Sequence, residues 1–203
     1  MKMRLAFVAA CSLMTLSPAS AATITNIGSF DSTLQIDFFS PVGQSFTAID
    51  SSLTSIGFGY NVINAGFPVT PITIDLYAGA GTGGSIIATR TFNLADPNAF
   101  FDTDFTGTAL TIGNVYTAAL SAAGSPFQGV HFGTADSYAG GQLFSPNSGF
   151  LNCGPSGCDL EFRVIGTSGP SVPEPATWAM LLTGFGLAGT AMRRNVRATV
   201  ALA

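Results

Sequence analysis

The chain holds a single histidine, His131, in Gly129-Val-His-Phe-Gly133, and few residues could act with it. An imidazole serves as general base for a serine only when a nucleophile is presented beside it, and no G-x-S-x-G elbow occurs. One histidine also excludes metal catalysis on two or three imidazoles within one chain. Alternation along this stretch predicts an exposed face for His131. Hydrolysis of a glycosidic bond by paired carboxylates needs no histidine, and Asp102, Asp104 and Asp136 leave that option open. Acids in turns are commonly solvated or cap backbone amides, so we expect no catalytic residue and a protein that is not an enzyme. Asp102 and Asp104, in Phe101-Asp-Thr-Asp-Phe105, suit a structural calcium ion better, because hard cations take several carboxylate and carbonyl oxygens. No D-x-D-x-D-G loop supports it, and no other cofactor is implied. Tyr60, Tyr77, Tyr116 and Tyr138 could form a platform for sugar rings, although such tyrosines more often pack at sheet borders with their hydroxyls bonded.

Cys153 and Cys158, in Leu151-Asn-Cys-Gly-Pro-Ser-Gly-Cys-Asp-Leu160, are the two cysteines left once Cys11 is removed with an export signal. An even count in an exported chain predicts one disulfide, pinning a turn over Gly154-Pro-Ser-Gly157. A zinc pair is the weaker alternative, since nothing nearby supplies the missing ligands.

These residues must be carried by strands. Residues 23–167 alternate apolar with polar side chains between Gly, Pro, Asn and Asp, as in Ile72-Thr-Ile-Asp-Leu-Tyr77, Ile86 to Phe92, Val115 to Leu120 and Leu160 to Ile165. Weaker runs lie at Leu53 to Tyr60, Phe100 to Phe105 and Val130 to Phe132, and no 3.6-residue period persists. The expectation is an all-β fold, an antiparallel β-sandwich with Phe and Ile between its sheets. Gly79-Ala-Gly-Thr-Gly-Gly84 matches G-x-G-x-x-G, but that fingerprint needs a helix next and Ser85 to Phe92 reads as strand; a hairpin loop is expected.

The two ends have a different character. Lys2 and Arg4, the apolar run Leu5 to Leu16 and the small residues Pro18-Ala-Ser-Ala-Ala22 form a secretory signal peptide over residues 1–22, cut after Ala21 or Ala22, which implies the Sec export machinery. Its 12-residue apolar run is too short to span a bilayer of about 30 Å. Residues 168–175, Ser-Gly-Pro-Ser-Val-Pro-Glu-Pro, contain three prolines and predict an extended, accessible linker. Residues 176–192 are free of charge and would form a transmembrane helix of about 26 Å. Arg193 and Arg194 then begin a basic tail, 193–203, that stays in the cytoplasm as the membrane stop and leaves the body outside. Without the ends, the body keeps Arg90 and Arg163 against ten carboxylates, a net charge of −8, which excludes nucleic acid as a partner.

PEPATWAMLLTGFGLAGTAMRR resembles the PEP-CTERM sorting signal of Gram-negative bacteria. The family pattern is matched at Pro173-Glu174-Pro175, Trp178 to Met180, Gly184 to Gly186 and Arg193-Arg194. The resemblance implies processing by an exosortase at the Pro173–Pro175 motif, transient residence in the inner membrane, and a final place at the cell surface or in the extracellular matrix, alongside exopolysaccharide or biofilm material. The body is similar to the surface modules called choice-of-anchor domains at Gln44 to Thr47, Leu53 to Gly57, Ile74 to Gly79 with Gly83 to Thr89, Leu110 to Tyr116, Tyr138 to Gly141 and Asp159 to Arg163. That likeness implies a jelly-roll-like sandwich. The expected role is a non-enzymatic envelope or matrix protein; the alternative is a carbohydrate-binding module or weak glycan-active enzyme.

Overall fold

A computed structural model describes residues 21–124, 127–167 and 180–188. They fall in two units, and every strand named below belongs to the unit Ala19–Gly169. Signal-peptide residues 1–20, the 168–175 linker with Pro173, Glu174 and Pro175, and the tail with Arg193 and Arg194 lie outside the described residues. Of the expected transmembrane helix 176–192, residues 180–188 are described and are helical. Among the described residues no helix is long and apolar enough to cross a membrane.

The strands are β1 (Thr23–Asn26), β2 (Ser32–Gln35), β3 (Val42–Thr47), β4 (Ser52–Val62), β5 (Ile72–Ala78), β6 (Ile86–Phe92), β7 (Phe100–Ala109), β8 (Val115–Ser121), β9 (Gln128–Gly133), β10 (Leu143–Phe144), β11 (Asp159–Leu160) and β12 (Phe162–Gly166). One sheet runs β1-β12-β4-β9-β11, with β2 also on β9 and β7 also on β4; the other runs β10-β3-β8-β5-β6. Among the described residues of the unit Ala19–Gly169 the fold is all-β, two antiparallel sheets with one helical turn, α1 (Ile36–Phe39), and a 3-10 turn at Ser148–Phe150.

Period-two alternation places the core. In β5, Ile72, Ile74 and Leu76 are fully buried while Thr73, Asp75 and Tyr77 face outward. Phe58 and Tyr60 of β4, Phe105 of β7 and Phe162 of β12 meet them from the other sheet in one cluster. Each such side chain contributes about 1.5–3 kcal/mol by leaving water. Gly79 and Gly81, with φ of 92° and 71°, turn β5 into β6, so the G-x-G-x-x-G segment is the expected hairpin loop.

β1, β2, β3 and β10 are strands that periodicity does not reveal. β3 is buried on both faces, because residues 138–142 cover it: Ser45 N donates to Gln142 O at 2.9 Å and Thr47 Oγ1 to Gly140 O at 3.0 Å. Its polar Gln44 and Ser45 therefore both lie inside, on opposite faces of the strand. The expected continuous strand Leu160 to Ile165 is broken at Glu161 into β11 and β12, for a reason that defines the site below.

Candidate functional site

β4 pairs with β12 along Leu53 to Phe58 and with β9 along Tyr60 to Val62, while β11 pairs with β9 at Phe132 and Gly133. Glu161 stands at the fork where the two ladders part. Its N–H donates to His131 O at 2.9 Å, and its carbonyl accepts from Gly59 N at 3.1 Å. Its side chain lies on the outer face of the sheet but is only 7% exposed. Oε2 is 2.7 Å from His131 Nδ1, and Oε1 accepts from Gly28 N at 2.9 Å. Gly59 makes room for the pair, since a Cβ there would fall on the carboxylate. Phe30 closes the ring's other side, stacked at 4.0 Å between centroids.

His131 thus faces outward as expected, but it is roofed: its side chain is 16% exposed. A carboxylate on Nδ1 fixes the tautomer of a neutral imidazole and leaves Nε2 as its acceptor. This is the orienting half of an acid–base arrangement.

Asp102 and Asp104 share the outer face of β7. Arg163 is opposite Gly57, and Gly57 is opposite Asp102, so the row has a gap where a side chain would stand. Arg163 reaches across it in a two-bond ion pair, with Nε 3.1 Å from Asp102 Oδ1 and Nη2 on Oδ2. The guanidinium also lies 5.0 Å over the Phe100 ring. Asp104 Oδ1 accepts from Thr106 N at 2.8 Å; bonds from the Thr106 side chain and backbone, then Arg90, hold its carboxyl below the ordinary range. Arg90 donates to Asp104 O at 3.0 Å and lies 5.2 Å over Phe105.

Both arginines of the body therefore grip β7. The calcium expectation at Asp102 and Asp104 does not fit this donor set, because the carboxylates already have cationic or amide partners. Among the described residues no group of three or more His, Cys, Asp or Glu is gathered to hold a metal ion. Asp136 is exposed on the loop after β9, and its charge acts on Asp159.

Asp159, which the sequence reading did not single out, is fully buried. Its Oδ2 accepts from Ser137 N at 2.8 Å and Tyr138 N at 2.7 Å, and Oδ1 from Gln44 Nε2 at 2.8 Å. Gln44 Oε1 accepts from Leu160 N at 2.8 Å, which fixes the amide's orientation. Burial pushes the Asp159 carboxyl up, against these bonds. The network ties β3 of one sheet to β11 of the other. Its only sequence signal is two polar residues inside strands.

Cys153 and Cys158 are disulfide-bonded, with Cα atoms 5.2 Å apart. Gly157 N donates to Gly154 O at 3.1 Å within the loop, and Gly157 takes a φ of 115°. Three of the four tyrosines offer no free ring for a sugar. Tyr60 is fully buried, Tyr116 is buried with its hydroxyl accepting from Thr111 N at 2.9 Å, and the Tyr138 hydroxyl accepts from Thr47 N at 3.3 Å. Tyr77 is half-buried on the outer face of β5.

No match to this chain is found among the curated proteins. Residues 171–196, spanning Pro173-Glu174-Pro175 and Arg193-Arg194, match the PEP-CTERM protein-sorting motif. A β-sandwich body with a disulfide thus precedes a tail whose known reader is an exosortase, and the chain is an exported protein carrying a PEP-CTERM sorting signal.

Proposed function

We propose that this chain is a non-enzymatic protein of the envelope or extracellular matrix of a Gram-negative bacterium. It is exported through the Sec machinery, held in the inner membrane by residues 176–192, clipped near Pro173–Pro175 and passed outward to lie among exopolysaccharide or biofilm material. The observation that carries the reading is the sorting motif at 171–196. The body is compatible with it: on its outer face Asp102 is engaged by Arg163 and Glu161 by His131.

Replacing Pro173 and Pro175 with alanine tests the sorting step. Full-length protein should accumulate in the membrane fraction, and normal release of the variant would overturn the reading.

A second reading, a carbohydrate-binding module or weak glycan-active enzyme, is favoured by half-buried Phe100 beside the Asp102–Arg163 pair. A glycan array probed with the exported protein separates the two. Binding of a defined sugar tighter than about millimolar would favour it, and silence across the array favours the structural role.

A further inference from the structure

β1 is an edge strand of its sheet, and the residue before it is already tied down. Ala22 N donates to Asp50 Oδ2 at 2.9 Å, and Ala22 O accepts from Gly166 N at 2.9 Å. A Cβ at Gly166 would fall on the Asp50 carboxylate, so glycine there keeps the seat open. Ile24, Phe46, Leu53 and Val164 line a small apolar cavity beside the pair, and Asp50 is the one ionisable side chain among its lining residues. Ala22 is half-buried, whereas Ala21 is exposed. A carboxylate against an apolar wall is only partly satisfied by a neutral amide; an ammonium would bond the same oxygen and balance its charge.

We propose that signal peptidase cuts between Ala21 and Ala22 and that the new α-ammonium of Ala22 becomes the counter-ion of Asp50. The inference rests on the export reading above. Small residues allow two registers, Ala19-Ser-Ala21 and Ser20-Ala-Ala22. Cutting after Ala22 would discard both of its bonds, while cutting after Ala21 keeps both and adds a charge. Water is consumed in the step: the Ala21 carbonyl becomes a carboxylate on the departing peptide, and the Ala22 nitrogen takes up protons to become the ammonium. The ion pair then fastens the edge strand β1 to the turn that leads into β4.

Lys2 is the only lysine in the chain, so after cleavage the α-amine is the sole primary amine. Amine acetylation of the purified exported protein therefore reaches one atom. Sequencing should begin Ala-Thr-Ile-Thr, and acetylation should lower the melting temperature by about 2–4 °C. In the Asp50→Asn variant, whose amide oxygen still accepts a hydrogen bond, acetylation should shift it by less than about 1 °C. A paired ammonium has its pKa raised above the free-amine value of about 8, so its contribution is complete below that pH and lost as pH rises through the paired value. The acetylation shift should shrink accordingly in alkali. A mature chain beginning at Thr23, or equal shifts in parent and variant, overturns this assignment alone. An exported chain still beginning at Met1 overturns the export reading and the assignment together.

Discussion

Replacing Gly59 with alanine would put a methyl group where the Glu161 carboxylate now lies. Gly59 has no positive φ, so alanine by itself should stabilise by about 0.5–1 kcal/mol through reduced freedom of the unfolded chain. Against that, the Cβ would overlap Glu161 Oε2 and stand 2.9 Å from His131 Nδ1. The carboxylate must swing away and surrender its bonds from His131 and Gly28. Hydrogen bonds to charged groups are worth about 1.5–3 kcal/mol each. Glu161 lies just under the surface and can reach water once displaced, so the net loss should be about 2–3 kcal/mol. For a body of this size the melting temperature should fall by about 4–12 °C. Thermal and urea denaturation of the exported protein measure it. Gly83→Ala is the control, because nothing lies within 4 Å of its Cβ, and it should melt at or slightly above the parent. Adding Glu161→Ala to Gly59→Ala should cost less than the sum of the two single changes, since the methyl then enters emptied space. A Gly59→Ala protein as stable as the parent would refute the account of the fork.

Two further outcomes follow from the same geometry. Asp159→Asn keeps an oxygen for the Ser137 and Tyr138 amides but turns an NH2 toward Gln44, which cannot flip without losing Leu160, so about 1–3 kcal/mol should be lost in urea denaturation. The native Asp159 pKa is raised from 3.8, so its contribution is complete below that value and falls as pH rises through the native one; the gap to Asn should be widest in acid and narrow upward. Because Arg163 occupies Asp102, EDTA or added calcium should leave the melting temperature unchanged, and a rise of more than about 2 °C with calcium would restore the ion to the account.

Strands with a run of apolar and β-branched side chains were legible in the sequence, whether one face is dry, as in β5, or both are, as in β8. Ile86 to Phe92 agrees residue for residue, and Ile72 to Tyr77 and Val115 to Leu120 each extend by one residue. β3 was not legible, because its buried and internally bonded Gln44 and Ser45 interrupt the apolar run. Leu160 to Ile165 misled in the opposite sense. Its alternation continues unbroken through Glu161, yet the ladder changes partner there, and a change of partner leaves no trace in the residues that make it.

The sequence by itself determined the features that act locally: the disulfide turn, the hairpin glycines and the sorting signal. Only the tertiary structure decided which polar and charged side chains pair. His131 and Glu161 are 30 residues apart and Asp102 and Arg163 are 61 apart, and they meet because strand register puts Gly59 beside the first pair and Gly57 between the second. Register is a property of the whole sheet, so no stretch of chain carries it alone.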